Sequence, residues 1–249
     1  MDGRMERAIV LAAGLGSRLV EGRAWPKPLQ PVAGTPLLVR ILRTMGQAGI
    51  REVVVVTGHL AAELRAGLAS VDCGVAVRFV HNDAYANTKN GVSLLAAREL
   101  VGEGALLSMA DHLFAPSIVH ALRSVAIGET QSALGVDYDV PRCFDLDDAT
   151  KVRVADGKIV AIGKEIATYG AIDCGLFRIG PAFVEALAAV KARAGDCSLS
   201  EGARMLAERG DFLPCDVGAA RWIDVDTPQA LAEAERMLRQ YGDDLSGAG

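Results

Sequence analysis

The first apolar run of this chain opens into Leu11-Ala12-Ala13-Gly14-Leu15-Gly16-Ser17-Arg18-Leu19, and Trp25-Pro26-Lys27-Pro28-Leu29 follows shortly after. Small residues at such a turn let backbone N–H groups approach a phosphate chain with no Cβ in the way. Two prolines bracket and stiffen Lys27, so Arg18 and Lys27 together offer two cations to a triphosphate. Two better-known phosphate sites fit less well. A dinucleotide fingerprint wants a third glycine where Leu19 stands, and an acid closing the second strand, where Thr57-Gly58-His59 is found. A P-loop wants a lysine directly after its glycines, and Arg18 stands there instead. Further along, Asp111 closes another apolar run, at the carboxyl end of a strand where open α/β sheets place ligands. A carboxylate there suits Mg²⁺, which takes one or two protein carboxylates plus substrate phosphates; the competing reading is a cap for a helix near Pro116. No nucleophile–base pair stands out. His81, His112 and His120 have no metal-ligand spacing and are read as structural, and Trp25 and Trp222 as packing the loop and the last strand.

The elements that must position these groups alternate through the first half. Ala8–Leu11, Val53–Val56, Val75–Val80 and Ala105–Met109 read as strands. Helices are expected over Pro36–Gln47 (Thr35 as N-cap, proline first), Leu60–Ala69 and Gly91–Leu100. Strands alternating with helices predict a parallel sheet covered on both faces. The pattern then changes. Lys151–Val154 and Lys158–Ile162 flank Asp156-Gly157, a tight hairpin signal. A strand over Asp173–Phe177 follows, with helices over Pro181–Arg193, Leu199–Arg209 and Gln229–Arg239. Residues 1–241 are expected to form a single domain, 1–130 binding nucleotide and 131–241 the acceptor, with 242–249 a disordered tail.

Composition sets the outer bounds. With 249 residues, 51% apolar and 23% charged, the chain is an ordinary globular one. A net charge of −5 argues against a nucleic-acid surface, although Arg4, Arg7, Arg18, Arg23 and Lys27 make the opening segment basic. The five cysteines are scattered, with no C-x-x-C pair, which favours a reducing compartment. No run approaches a membrane span and the charged start is no signal peptide. A cytoplasmic protein is expected, with no nucleic-acid or membrane partner and homo-oligomerisation left open.

Leu11–Leu19 with Pro26-Lys27-Pro28-Leu29 resembles the signature of the sugar-phosphate nucleotidyltransferase superfamily, and the chain is most similar to its inositol-1-phosphate cytidylyltransferases. The resemblance runs from about Arg7 to Leu238. It includes Asn90–Leu95, Ser108–His112, Ala149–Val154, Ile162–Lys164, Ile172–Gly175 and Trp222–Thr227. It implies a Rossmann-like nucleotidyltransferase fold of the α/β class: a mostly parallel mixed central sheet, helices on both faces, and a small antiparallel insertion over the site. It implies Mg²⁺-dependent transfer of CMP from CTP to 1L-myo-inositol 1-phosphate, with Mg²⁺ as cofactor. Leu11, Ala12, Ala13, Gly14, Gly16, Ser17, Asn90 and Ser93 are then expected at the nucleotide, although Asn90 and Ser93 also suit helix capping. Arg18 would hold the β- and γ-phosphates and Lys27 reach the α-phosphate. Asp111 would hold the metal with Asp226 or Asp224. These two face the same side of a strand; Asp226 is preferred, although it also suits capping the helix near Pro228. Lys164 would take the acceptor phosphate, with Lys151, Arg153, Asp173 and Arg142 as further candidates. Cytosine specificity rests on the resemblance alone, with a loop carbonyl or the Asn90 amide as acceptor for its exocyclic amine.

A phosphate monoester has a second pKa near ~6 and is already a dianionic nucleophile, so no general base is needed. Few aromatics argue against a choline acceptor. Phosphocholine, 2-aminoethylphosphonate and sugar 1-phosphates remain alternatives, and a non-catalytic nucleotide-binding subunit a distant one. Some relatives carry a membrane-embedded phosphotransferase beyond this region; here such a second step is expected of another protein.

Overall fold

Ala8, Val10 and Ala12 of the first strand point into one apolar cluster and Ile9 and Leu11 into another. Val53/Val55 and Val54/Val56 divide in the same way. An uninterrupted apolar run is what a strand with helices on both faces requires. The computed structural model describes residues 5–16 and 25–247.

In chain order, β1 (Arg7–Ala12) leads to a 3₁₀ turn (Lys27–Leu29), the short pair β2 (Pro31–Val32) and β3 (Thr35–Pro36), and α1 (Leu37–Gln47). There follow β4 (Glu52–Thr57), α2 (Ala61–Leu68), β5 (Ala76–His81), α3 (Asn90–Ala96), β6 (Ala105–Met109), β7 (His112–Phe114), α4 (Pro116–Ser124) and β8 (Ser132–Asp137). The second half holds β9 (Lys151–Ala155), β10 (Lys158–Gly163), β11 (Ala171–Ile179), α5 (Pro181–Ala194), α6 (Leu199–Arg209), β12 (Phe212–Asp216), β13 (Trp222–Asp224) and α7 (Pro228–Tyr241).

The main sheet runs β10-β9-β11-β6-β1-β4-β5, with β8 joined to β11 and β12 to β8. Pairing is parallel from β6 through β1 and β4 to β5, and antiparallel where β11 joins β6, β8 and β9. Helices α1, α4 and α7 cover one face; α3, α5 and α6 cover the other. The β9–β10 hairpin turns at Asp156 and Gly157, both with positive φ (50° and 71°), as a two-residue turn of this type demands. Ala171 and Ile172 stitch β9 to β11, so the hairpin continues the main sheet.

Some boundaries differ from expectation. Pro36 does not open α1; it is extended (ψ 136°) and pairs with Pro31. The helix from Asn90 stops at Ala96 and the chain tightens into a 3₁₀ turn over Arg98–Leu100. The last strand ends at Asp224, short of Asp226.

Candidate active site

The carboxyl end of β1 carries the glycine turn. Leu11 O accepts from Ala110 N (3.1 Å) and Ala13 O from His59 N (3.2 Å), fixing the turn between the ends of β6 and β4. Leu11, Ala12, Gly14 and Gly16 line a cleft that they share with Lys27, Asp111 and Asp226. Gly16 has φ +63°, and a Cβ there would collide with the Lys27 side chain, so glycine is required where the turn meets its lysine. Ser17 and Arg18 lie outside the described residues. Lys27 opens its 3₁₀ turn between Pro26 and Pro28, and its Nζ pairs with Asp111 Oδ2 at 2.6 Å. The early cation and the acid after β6 thus meet, with only 12% and 23% of their side chains exposed.

Around Asp111 the chain gathers further acids. β7 pairs antiparallel with β13, His112 opposite Asp224, and Val225 N donates to Asp111 O at 2.8 Å. Ligand atoms of Asp111, His112 and Asp224 lie within 4.8 Å of one another. His112 Nδ1 bonds Asp111 Oδ1 at 2.9 Å, so this nitrogen carries the proton. Asp224 Oδ1 is buried and accepts no hydrogen bond. A buried carboxylate oxygen without a donor is costly, and oxygen ligands around a divalent cation would relieve that cost. The donor set of Asp111 and Asp224, with Asp226 beside them in the cleft, fits Mg²⁺, which prefers oxygen. Asp226 itself is buried and lines the cleft. It does not cap α7; Thr227 does, accepting from Ala230 N.

The electrostatics follow from this crowding. Burial pushes the Asp111 carboxyl up, but the His112 hydrogen bond and the Lys27 charge outweigh it and hold the group well below the usual carboxylate range. Burial lowers His112, yet Asp224 and Asp111 raise it to about 9. Asp224 is pushed up to about 6 by burial and by neighbouring Asp111 and Asp226, against His112 and Lys27. A fixed cation among carboxylates that resist sharing negative charge is the arrangement a divalent ion would complete.

A second cleft adjoins the first, sharing Met109, Asp111 and Asp226 with it. Lys164, just past β10, reaches it and pairs with Asp148 at 2.5 Å. Asp173 lines it too; its carboxylate accepts from Gly175 N at 2.7 Å and is raised to about 6 by burial against that bond and His112. Asn90 lines the same cleft, its Oδ1 taken by Leu199 N. Other candidates go elsewhere. Ser93 is buried, and its hydroxyl accepts from Asn82. Lys151 bonds the Asp147 carbonyl, Arg153 is exposed on β9, and neither lines the cleft. Arg142 pairs with buried Asp137.

The expectation that His112 is merely structural is corrected: it stands inside the acid cluster. Its only sequence signal was adjacency to Asp111, because the β7–β13 register that sets it opposite Asp224 is a tertiary fact. Trp25 is 48% exposed, and the loop it was expected to pack lies largely outside the described residues. Trp222 packs on His112 and lines the second cleft.

Residues 8–209 match the MobA-like NTP transferase domain. The chain is 40% identical over 235 residues to a "Bifunctional IPC transferase and DIPP synthase" of Rubrobacter xylanophilus, covering 93% of this chain and 51% of that protein. It thus spans about half the length of the curated relatives it matches. It is 33% identical over 165 residues to a 2-aminoethylphosphonate cytidylyltransferase of Lancefieldella rimae, covering 63% of this chain and 60% of that one. Its structure superposes on the inositol-1-phosphate CTP transferase of T. maritima with a TM-score of 0.82 at 26% identity, covering 100% of both chains.

Proposed function

Because this chain belongs to the MobA-like NTP transferase domain family, we propose that it transfers CMP from CTP to 1L-myo-inositol 1-phosphate, giving CDP-inositol and pyrophosphate. The observation that carries this reading is the pairing of Lys27 with Asp111 at the mouth of the glycine turn. A lysine ammonium and a carboxylate meeting at one point, with a second cleft adjoining, support a phosphate-binding cation beside a metal-binding acid. Relatives bearing IPC-transferase and inositol-1-phosphate CTP transferase names support the choice of base and acceptor.

Asp111 and Asp224, with Asp226 alongside, would hold Mg²⁺. When bound, the ion supplies positive charge that neutralises and orients the reacting phosphates. The turn over Ala13, Gly14 and Gly16 cradles the triphosphate with backbone N–H groups. Lys27 leaves Asp111 Oδ2 for the α-phosphate, and Arg18 takes the β- and γ-phosphates. Lys164 exchanges Asp148 for the acceptor phosphate, and Asp173 accepts from ring hydroxyls. An oxygen of the acceptor dianion attacks the α-phosphorus in line. The bond from that phosphorus to the bridging oxygen breaks, and pyrophosphate leaves with the electron pair. Positioning and charge stabilisation supply the acceleration; no proton need be removed from the nucleophile. We assign the reaction to the cytoplasm, consistent with five free cysteines and, among the described residues, no helix long and apolar enough to cross a membrane.

A second reading has an observation behind it. Asp145, Asp148 and Asp173, with Phe144 and Trp222, line the acceptor cleft, and carboxylates beside aromatic rings also suit an ammonium group. One panel decides between them: inositol 1-phosphate, 2-aminoethylphosphonate, phosphocholine and a sugar 1-phosphate, each with CTP and the other triphosphates and Mg²⁺. Pyrophosphate release fastest with CTP and inositol 1-phosphate is expected; preference for an amine acceptor would install the second reading, and release with none would sink both.

A further inference from the structure

Asp111 has its two oxygens divided: Oδ2 faces Lys27 Nζ at 2.6 Å, and Oδ1 faces His112 Nδ1 at 2.9 Å. His112 therefore decides which edge of the carboxylate is left toward the cleft, and His112 is itself held by packing. The Trp222 indole lies parallel to the imidazole, 4° between planes and 6.4 Å between centroids. β11 passes beside it with Gly175 at φ +77°, where any Cβ would collide with the ring. Trp222 in turn is aimed: its Nε1–H donates to Asp137 Oδ2 at 2.9 Å. Asp137 sits at the end of β8, 1% exposed, and also accepts from Arg142 Nη2 (2.7 Å) and Asp139 N (2.9 Å). A buried carboxylate meeting three donors is a rigid anchor.

We propose that Trp222 is a positioning residue for the metal-binding carboxylate of Asp111, acting through His112 and itself oriented by Asp137. The inference rests on the reading of Asp111 as a metal ligand. Outer-shell partners of this kind fix a ligand's rotamer, and their loss is felt in metal affinity as well as in rate. Trp222 also lines the acceptor cleft, so the alternative is that it touches the acceptor directly.

The test is Mn²⁺ binding to the full chain, measured by calorimetry with no substrate present. Trp222→Phe keeps a ring and removes the N–H; it should weaken Mn²⁺ binding by about tenfold. Its kcat should fall by a similar factor while KM for the acceptor stays within about twofold, the pattern of a residue acting on the reaction and not on acceptor binding. His112→Gln should weaken Mn²⁺ comparably, and the double variant should be no weaker than His112→Gln alone, because the two act along one line. Unchanged Mn²⁺ affinity in folded Trp222→Phe, additive losses in the double variant, or a raised acceptor KM with kcat and Mn²⁺ affinity intact would each overturn the proposal. A second measurement needs no substitution at Trp222. The chain has two tryptophans, so the indole N–H resonance of Trp222 is readily assigned. It should move on Mg²⁺ addition in the parent and stay still in His112→Gln; a resonance that ignores Mg²⁺ in the parent overturns the link. CMP transfer plays no part in the calorimetric or indole readouts, so both would still decide the link if the acceptor or the nucleotide proved to be another.

Discussion

Lys27 reaches across 84 positions of sequence to Asp111, and the proposed reaction gives it a second partner. Without a nucleotide it neutralises the carboxylate; in the proposed reaction the α-phosphate would compete for it. Lys27→Ala should lower CMP transfer by about 10²–10³, or ~3–4 kcal/mol, by analogy with the loss of one donor to developing charge. Pyrophosphate release measures it, and activity within threefold of the parent would rule the role out. Lys164 belongs to the acceptor alone in this scheme. Lys164→Ala should raise the acceptor KM by about 10–100-fold, the worth of a charge-assisted hydrogen bond, with KM for CTP unchanged; equal changes in both would remove Lys164 from its place. His112 sets a pH dependence. Its folded pKa of about 9 lies above the ordinary 6.5, so the folded state keeps a proton that the unfolded chain releases. In EDTA, the stability it contributes is whole below about 6.5 and is lost as pH rises through 9. Urea unfolding between those pH values should show the decline, and His112→Gln should flatten it. Lys27 and Asp111 stood out in the sequence because charge between prolines or at a strand end announces itself, whereas Lys164 and Asp173 came only with the family resemblance. His112 and Trp222 were not legible, because their roles come from a pairing between strands over a hundred positions apart.

At the scale of elements, local chemistry was a good guide to several helices and turns but misled at Pro36, which pairs with Pro31 and does not open α1, and most strands made by distant partners were not legible. Ser198-x-x-Glu201 is a capping box: Glu201 N donates to the Ser198 hydroxyl and Ser198 N to the Glu201 carboxylate, and α6 begins and ends where its apolar spacing said. Asp156-Gly157 likewise makes its own turn. By contrast β8 carries a glycine, β12 carries Pro214, and β7 has three residues; β13, equally short, was expected as a strand but one reaching Asp226. Such segments become strands only because neighbours pair with them. The same distinction yields two predictions. Ser198→Ala removes the side-chain acceptor of Glu201 N; it should cost about 1 kcal/mol and lower Tm by about 2–4 °C, read by thermal unfolding, and an unchanged Tm would mean that the Asn90–Leu199 bond alone secures the helix start. Gly16→Ala acts differently. Its strain falls on the turn and on Lys27, so CMP transfer should drop well beyond any change in Tm; an equal fall in both would make Gly16 a folding residue only.

On the scale of the whole molecule, the site belongs to neither half of the chain. The glycine turn, Lys27 and Asp111 come from the first half; Lys164, Asp173, Asp224 and Asp226 come from the second. β11 joins the halves by pairing with β6 of the first and with β8 and β9 of the second. Residues 1–241 should therefore unfold as one unit, with the metal as a tie across it. A divalent ion bound only by the folded chain, at 100 times its Kd, adds about 2.7 kcal/mol to unfolding. For a chain of this size that raises Tm by about 5–10 °C, and the rise should appear as one transition moving intact. Asp224→Asn removes a carboxylate whose buried oxygen has no other donor. It should abolish most of the shift while making the protein at least as stable in EDTA, because a neutral amide is buried more cheaply than a carboxylate already pushed up to about 6. Two separate transitions, with Mg²⁺ moving one of them, would mean that the metal site lies within one half and that Asp224 and Asp226 are bystanders. A variant that loses stability in EDTA while keeping the Mg²⁺ shift would place Asp224 in the fold and leave Asp226 as the partner of Asp111.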